Sequence, residues 1–490
     1  MIVRTRYAPS PTGLPHVGNM RAALFDWLLA RNAGGTFILR IEDTDRERYV
    51  DGGVEAQMEA LRWLGLDWDE GPDVGGPHAP YTQSERLALY LEAAERLVAN
   101  GKAYHCFCTP ERLGELRRQQ QAAKQPPGYD RRCRALPPQE LAERLEADEP
   151  NVIRFASPTE GETSFRDAIR GVVTVENRTI DDFVILKSDG YPTYHLASVV
   201  DDKAMAISHV FRGDEWIPSA PRHALIYTAL GYEPSLFVHL PSILGADRKR
   251  LAKRHGSTTV LEYRDAGYLP EAMVNFLALL GWSLDDKTEI IDRETLVRSF
   301  SLDRVSATPG IFDADKLRWM NGEYIRALPE DELARRILPF LQRELPETAR
   351  EPDLELVGRI VPLIQTRMEL LADAYPLTAF FFTREILVTA DDLLGKRFAS
   401  EPEVALAALT AATERLGALP DWTHEGIQSA LRGLGEELGL KPRDFFGLLR
   451  MAVTGSTVSP PLFESLEILG REVTLERIGD AGRTLRPAAG

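Results

Sequence analysis

A chain of 490 residues with 44% hydrophobic and 27% charged side chains has the balance of a soluble globular protein, and its length predicts about three to five packing units. A net charge of −16, taken alone, argues against a nucleic-acid partner, because phosphates must be met by cations. No run of roughly 18 apolar residues could span a bilayer, Met1-Ile2-Val3-Arg4 does not read as a secretory leader, and three clustered cysteines suit a reducing cytoplasm better than a disulfide framework.

The N-terminal region alternates strand and helix. Ile2 to Tyr7 predicts a short strand, Ala8 to Gly13 a loop, and residues from about Gly18 to Asn32 a helix. In that helix Ala23, Leu24, Trp27, Leu28 and Arg31 fall at helical spacing, and Gly34-Gly35 close it. Phe37 to Ile41 reads as an apolar strand, followed by a helix with Val54, Met58, Leu61 and Leu64 on one face. Strand, helix, strand at this spacing is the unit of a parallel sheet.

From about residue 82 to 191 the alternation breaks into Pro-rich loops (Pro126-Pro127, Pro137-Pro138) and short β-like runs such as Val172 to Val175, which predicts an inserted domain. Residues 96 to 134 carry nine Lys/Arg against three acids. Two readings stay open for that stretch, a solvated helical face or a phosphate-binding surface. Within it, Cys106-Phe107-Cys108 and, after 24 intervening residues, Cys133 offer three thiolates to a tetrahedral metal such as zinc, which wants four ligands. After about residue 330 the pattern becomes helix after helix, with runs such as Leu333-Ile337-Leu338-Leu341 and Ile360-Leu363-Ile364-Met368-Leu371.

Two loops carry the chemistry. A strand, a glycine-bearing loop and a helix are where an open α/β sheet binds a nucleotide. Here the helix opens on His16-Val17-Gly18-Asn19, with neither the dinucleotide fingerprint nor a phosphate loop. The helix start favours phosphate, and His16 can donate to a phosphate oxygen. Gly18 has no side chain to keep a ligand's ring away. The second loop, Gly245 to Gly256, packs five cationic side chains into the seven residues Arg248 to Arg254, an arrangement that repels itself unless an anion lies against it.

The run Arg6-Tyr7-Ala8-Pro9-Ser10-Pro11-Thr12-Gly13-Leu14-Pro15-His16-Val17-Gly18-Asn19 closely resembles the glutamyl and glutaminyl version of the class I tRNA synthetase "HIGH" motif. Arg40 to Asp45 resembles the same family's second strand end. Arg250-Leu251-Ala252-Lys253-Arg254 occupies the five places of the "KMSKS" loop, with Arg250 for the usual first lysine and Ala252 for the usual serine. Lys187 to Asp202 and His209 to Trp216 resemble the family's second Rossmann half, and the likeness runs on to Phe312–Gly322. Glutaminyl enzymes finish in β-barrels, and the truncated paralogue lacks an anticodon-binding region, so the helical tail separates this chain from both. It is identified as a member of the bacterial-type glutamyl-tRNA synthetases of class I.

That resemblance implies an α/β fold. A Rossmann-type catalytic domain (1–81 and 192–246) would be split by an inserted acceptor-binding domain (82–191). A KMSKS-loop and stem-contact region (247–329) and an all-α anticodon-binding region (330–490) would follow. It implies ATP-dependent, Mg2+-assisted attachment of L-glutamate to tRNA(Glu) through glutamyl-adenylate, with activation waiting for bound tRNA. By resemblance His16, Gly18 and Lys253 serve catalysis, and Asn19, Glu215, Trp216, Arg250, Leu251 and Arg254 join them around ATP. Arg6 and Arg212 meet the glutamate carboxylates beside Tyr194, Glu42 takes the ammonium group, and Ala8 and Ser10 shape the pocket. Ser198 is also expected among the glutamate-binding residues, with its hydroxyl where many relatives carry asparagine. Arg367, on a helix expected to run from Ile360 to Leu371, reads the first anticodon base. Zinc-binding relatives have a histidine where this chain has Ala135, which tips the expectation away from zinc. Tyr129, four residues before Cys133, is an alternative fourth ligand resembling that of the truncated paralogue, and His105 a less natural one. The implied partners are L-glutamate and tRNA(Glu), with tRNA(Gln) left open. A cytoplasmic monomer with no membrane partner is expected.

Overall fold

The computed structural model describes residues 2–252 and 259–486. Contacts divide the chain into two compact units, one from Met1–Tyr263 with Pro270–Ala314, the other from Arg264–Leu269 with Asp315–Gly490.

In the first unit β1 (Arg4–Tyr7) lies parallel to β2 (Thr36–Leu39), and α1 (Val17–Asn32) is the crossover between them. Phe37, Ile38 and Leu39 are fully buried, as expected of a parallel strand covered on both faces. The turn into β2 passes so close to β1 that a Cβ on Gly35 would sit 2.2 Å from the Val3 carbonyl oxygen, so only glycine fits there. On α2 (Gly53–Leu64) the fully buried face is Gly53, Gln57, Ala60, Leu61 and Leu64, with Val54 and Met58 at its margin. Gln57 enters that face because its carbonyl accepts from the Tyr7 hydroxyl at 2.8 Å.

After α3 (Leu87–Ala99) the inserted segment opens with β3 (Ala103–Cys106), α4 (Pro110–Ala122) and α5 (Pro138–Glu146). β4 (Val152–Phe155) pairs antiparallel with β3 and with β7 (Val184–Leu186). Between them, β5 (Glu162–Asp167) and β6 (Gly171–Glu176) form a hairpin. The chain then returns through α6 (Tyr194–Ala204), β8 (His209–Gly213), α7 (Ala220–Ala229) and β9 (Leu236–Leu240), with β8 and β9 parallel. The inserted hairpin does not stand apart. Asp167, at the end of β5, pairs with Phe237 in β9, so the strand order is β6-β5-β9-β8. β1 is tied to the start of β8 by the Ser208 amide donating to the Arg4 carbonyl at 2.9 Å.

The β1-β2 pair and the four-stranded sheet are also locked together by buried charge. Asp202 on α6 accepts from Arg6 Nε of β1 at 3.0 Å and from Arg40 Nη1, just past β2, at 2.8 Å. Arg40 Nη2 reaches Glu42 at 2.9 Å. Asp201 takes Arg86 Nε at 2.7 Å, Gln83 at 2.9 Å and the Tyr90 hydroxyl at 2.7 Å. All six charged groups are buried, three guanidiniums against three carboxylates. Burial pushes the Asp202 carboxyl up, but Arg6 and Arg40 outweigh it and hold it below the usual carboxylate range.

The second unit is helical throughout its described residues. Glu330–Glu344 buries Leu333, Ala334, Ile337 and Leu341. Further along, Leu409, Ala412, Leu416, Ile427, Leu431, Phe445, Leu449 and Ile478 form a common core. Among the described residues no helix is long and apolar enough to cross a membrane.

Asp202→Ala should destabilise the first unit by about 3–5 kcal/mol, because it leaves the buried Arg6 guanidinium without an anion and takes one carboxylate from Arg40, which keeps Glu42. A carboxylate held low contributes stability above its unfolded value and loses it as pH falls through its folded one. Thermal unfolding should therefore show a gap between wild type and variant that is full at neutral pH and narrows below about pH 3.9.

Candidate active site

A cavity of about 1020 Å³ opens where β1, the start of α1 and the end of β8 converge. That volume is at the upper end of the roughly 300–1,000 Å³ of small-molecule sites and suits a nucleotide together with an amino acid. Arg6, Ala8, Ser10, His16, Gly18, Asn19, Glu42, Tyr194, Arg212, Glu215, Trp216, Arg250 and Leu251 all line it. Ser198 does not. It is fully buried on α6, with its hydroxyl 3.5 Å from Asp202, and its short side chain ends at the ion cluster. Lys253 and Arg254 lie outside the described residues.

At the nucleotide end His16 caps α1, and its Nδ1 accepts from the Gly18 amide at 3.0 Å. The ring proton is therefore on Nε2, which leaves a donor free for an anion. Burial and the nearby Arg250 lower the His16 pKa against the pull of Glu215, favouring the neutral ring. Arg250 and Glu215 form an ion pair at 3.1 Å. The second loop is brought in by β10 (Ile243–Leu244) and a return in which the Leu251 amide donates to the Ile243 carbonyl at 2.9 Å. Arg21, two residues past Asn19, donates to the Leu280 carbonyl at 2.9 Å and also to the Pro241 carbonyl, tying α1 to the approach of this loop.

The other end is shaped by arginines of two kinds. Arg6 is paired with Asp202 and also donates to the Phe211 carbonyl at 3.3 Å. Arg212 is different. Its Nε donates to His239 at 2.9 Å, and Nη1 donates to the Tyr194 hydroxyl at 2.9 Å and faces His223 Nδ1 at 3.4 Å. Its guanidinium lies over the Phe237 ring at 5.0 Å. Each of these partners is neutral, and the buried Nη2 has no hydrogen-bond partner among the described residues. Burial and neighbouring charges hold His195 down to about 3 and His223 well below its ordinary value, so neither adds a charge. A cavity wall with an uncompensated guanidinium is suited to an anionic substrate. Glu42 faces the cavity with Oε1 taken by Arg40, and burial raises its carboxyl despite the pull of Arg40 and Arg6. Asp26, on α1 one turn below Ala22, also lines the cavity, and burial raises it well above its ordinary value against the opposing charge of Arg6.

Sequence patterns do not reveal Asp167, His239, His223 or Asp26. A histidine inside the apolar strand Leu236-Phe237-Val238-His239-Leu240 is the one signal that could have pointed to the first two.

In the inserted segment Cys106, Cys108 and Cys133 have their sulfurs within 4.8 Å of one another. The Cys108 and Cys133 sulfurs are 3.5 Å apart, near the roughly 3.8 Å edge of a tetrahedron with Zn–S bonds of about 2.3 Å. The Tyr129 hydroxyl lies 3.3 Å from Cys106 Sγ and 3.4 Å from Cys108 Sγ, so four donors converge and the set fits zinc. His105 instead turns its Nδ1 to Asn151 at 2.8 Å. Arg154 and Arg112 donate to Cys106 at 3.3 Å and to Cys108 at 3.4 Å. Much of the basic stretch is used internally, Arg112 on Asp130, Arg118 on Glu115, and Arg131 and Arg134 on Asp182.

In the second unit the helix carrying the expected tRNA contact stops at Ile364, and Gln365–Arg367 is a 3-10 turn ending at an extended Met368. Met368 and Leu371 are buried all the same. Arg367 is exposed and donates to the Ser459 carbonyl at 2.9 Å, which Arg450 shares at 3.1 Å.

Residues 2–319 match the family of class I tRNA synthetases for E and Q, catalytic domain, and residues 332–481 match an anticodon binding domain. The glutamate–tRNA ligase of Dehalococcoides mccartyi is 54% identical over 98% of this chain and 97% of its own length. That of Moorella thermoacetica is 47% identical over 99% of each. A crystal structure of a glutamate tRNA ligase from Elizabethkingia meningosepticum in complex with its amino acid superposes with a TM-score of 0.89 at 36% identity, covering 99% of this chain and 100% of the other. The chain therefore belongs to the class I tRNA synthetases, in the glutamate–tRNA ligase family.

Proposed function

We propose that this protein activates L-glutamate with Mg-ATP and transfers it to the 3′ end of tRNA(Glu), in the cytoplasm, with the chain divided as 1–81, 82–191, 192–246, 247–329 and 330–490. The observation that carries the reading is Arg212, a buried guanidinium at the cavity wall whose hydrogen-bond partners among the described residues are all neutral. A substrate side-chain carboxylate supplies the missing anion, with Arg6 beside it. Glu42 takes the ammonium group, while Ala8, Ser10 and Tyr194 shape the space.

The chemistry needs no protein nucleophile. The glutamate α-carboxylate attacks the α-phosphate of ATP, the bond to pyrophosphate breaks, and glutamyl-adenylate forms. The 2′-hydroxyl of the terminal adenosine then attacks the activated carbonyl, and AMP leaves. The protein contributes positioning and electrostatic stabilisation. His16 donates through Nε2 to the phosphates, and Gly18 and Asn19 leave the start of α1 open to them. Glu215 and Trp216 border the nucleotide. Arg250 and Leu251 border the phosphates, and the family resemblance assigns Lys253, with Arg254, to stabilising the charge that grows on pyrophosphate. Cys106, Cys108, Cys133 and Tyr129 would hold a zinc ion, which would supply a structural cross-link in the inserted domain. The cations of residues 96–134 that are not paired internally offer a surface for the acceptor end of the tRNA.

The direct test is aminoacylation of tRNA(Glu) and tRNA(Gln) with glutamate or glutamine. Glutamate on tRNA(Glu) is expected to be charged, and charging with glutamine alone would overturn the reading. Arg212→Ala should weaken glutamate binding by about 2–5 kcal/mol while folding survives, because it removes the partner of a carboxylate in a partly dry pocket.

Metal analysis of protein purified without chelator should find about one zinc per chain, and Tyr129→Phe should lower that occupancy. Metal-free wild type would leave three reduced cysteines.

Arg367→Gln should weaken discrimination between the Glu and Gln anticodons by about 1–3 kcal/mol, the range for one base-specific contact. Kinetics for ATP and glutamate should stay near wild type. An unchanged charging ratio on the two tRNAs would return Arg367 to the solvated surface.

A further inference from the structure

Arg212 is held from behind by a buried pair that the reaction itself does not use. Its Nε–H donates to His239 Nε2 at 2.9 Å, so that nitrogen carries no proton and the ring proton is on Nδ1. Nδ1–H donates to Asp167 Oδ2 at 2.6 Å. The carboxylate is itself pinned. Oδ1 accepts the main-chain amides of Ile169 and Arg170, both at 2.9 Å, and Oδ2 also accepts the His239 amide at 3.1 Å. Asp167 is 3% exposed and His239 fully buried, so no solvent competes for these bonds. Asp167 ends β5 of the inserted segment, while His239 lies on β9.

We infer that Asp167 and His239 are positioning residues that set the plane of the Arg212 guanidinium and so select a substrate carboxylate over a carboxamide. The inference rests on the reading of Arg212 as the partner of the substrate side chain.

Two features of the relay do this. Nε is anchored and the guanidinium is stacked on Phe237, so Nη1 is spent on Tyr194 and only Nη2 is left to meet a ligand. The neutral imidazole also stands between the Asp167 charge and Arg212. A carboxylate placed directly on Nε would neutralise the guanidinium and remove the advantage of glutamate over glutamine. His239 accepts from Arg212 without cancelling its charge, and Asp167 holds the tautomer that can accept.

His239→Asn and His239→Gln separate this role from a structural one. Asparagine can keep a donor for Asp167 but does not reach Arg212, whereas glutamine places its amide oxygen near the position of Nε2. In aminoacylation assays on tRNA(Glu), His239→Asn should raise the glutamate KM about tenfold or more, as expected for a lost bond to a charged group. The ATP KM should stay within about twofold, the preference for glutamate over glutamine should fall, and His239→Gln should recover most of the loss. A glutamate KM within twofold of wild type in His239→Asn would overturn the inference. So would glutamate and ATP KM rising together in both variants. Arg212→Ala is the control. If it raises the glutamate KM and His239→Asn does not, the relay fails alone; if neither does, the assignment of Arg212 itself fails.

Discussion

Arg6, Arg40 and Arg86 carry three positive charges into the interior of the first unit, and Asp201, Asp202 and Glu42 answer them with three negative ones. Burying so many charges is costly unless every one is paired, and the pairing works only when β1, the end of β2, the start of α3 and α6 are all in place. The cluster thus fixes where the β1-β2 pair meets the four-stranded sheet, and the cavity opens at that junction. Because the cluster is balanced within itself, it does not compensate Arg212, which stays cationic against a ring of neutral acceptors. In the proposed reading, preference for an acidic substrate follows from that separation between arginines that hold the fold and one that does not.

Local features of this arrangement were legible in the sequence. The apolar strand at Phe37 to Ile41 and the helix after His16 follow from periodicity and from the chemistry of a helix start, both properties of neighbours in the chain. The partners of the ion cluster are not. Arg6 and Asp202 are 196 positions apart, and no spacing rule connects them. His239 and Asp167 are 72 positions apart, on strands that meet only because the inserted hairpin joins the catalytic sheet. Resemblance to a family supplied Arg212 and Tyr194, while the groups that orient Arg212 became visible only in three dimensions. Arg367 teaches a different lesson. Apolar residues at 360, 364, 368 and 371 keep helical spacing and are all buried, yet the helix ends at Ile364 and the chain reaches the same core through a tighter turn.

The inserted segment is built into the first unit at both of its ends. One end gathers three cysteines and Tyr129 around a single point, and the other contributes Asp167 to the catalytic sheet. Ala135 removes the expected fourth place, and the phenol of Tyr129 fills the space from the opposite side in sequence. Two guanidiniums beside the sulfurs, Arg112 and Arg154, suit a cluster that is negative when its ligands are deprotonated.

The most direct measurement is a crystal structure of the enzyme with tRNA(Glu) and a non-hydrolysable glutamyl-adenylate analogue. The account predicts the analogue's side-chain carboxylate on the free Nη2 of Arg212, at about 2.7–2.9 Å as for a charge-assisted bond. The bonds of Arg212 to His239 and Tyr194 should be kept, and the ion pairs of Arg6 and Arg40 with Asp202 intact. A carboxylate bound elsewhere, or an Asp202 cluster broken open to release Arg6 or Arg40 to the substrate, would contradict it.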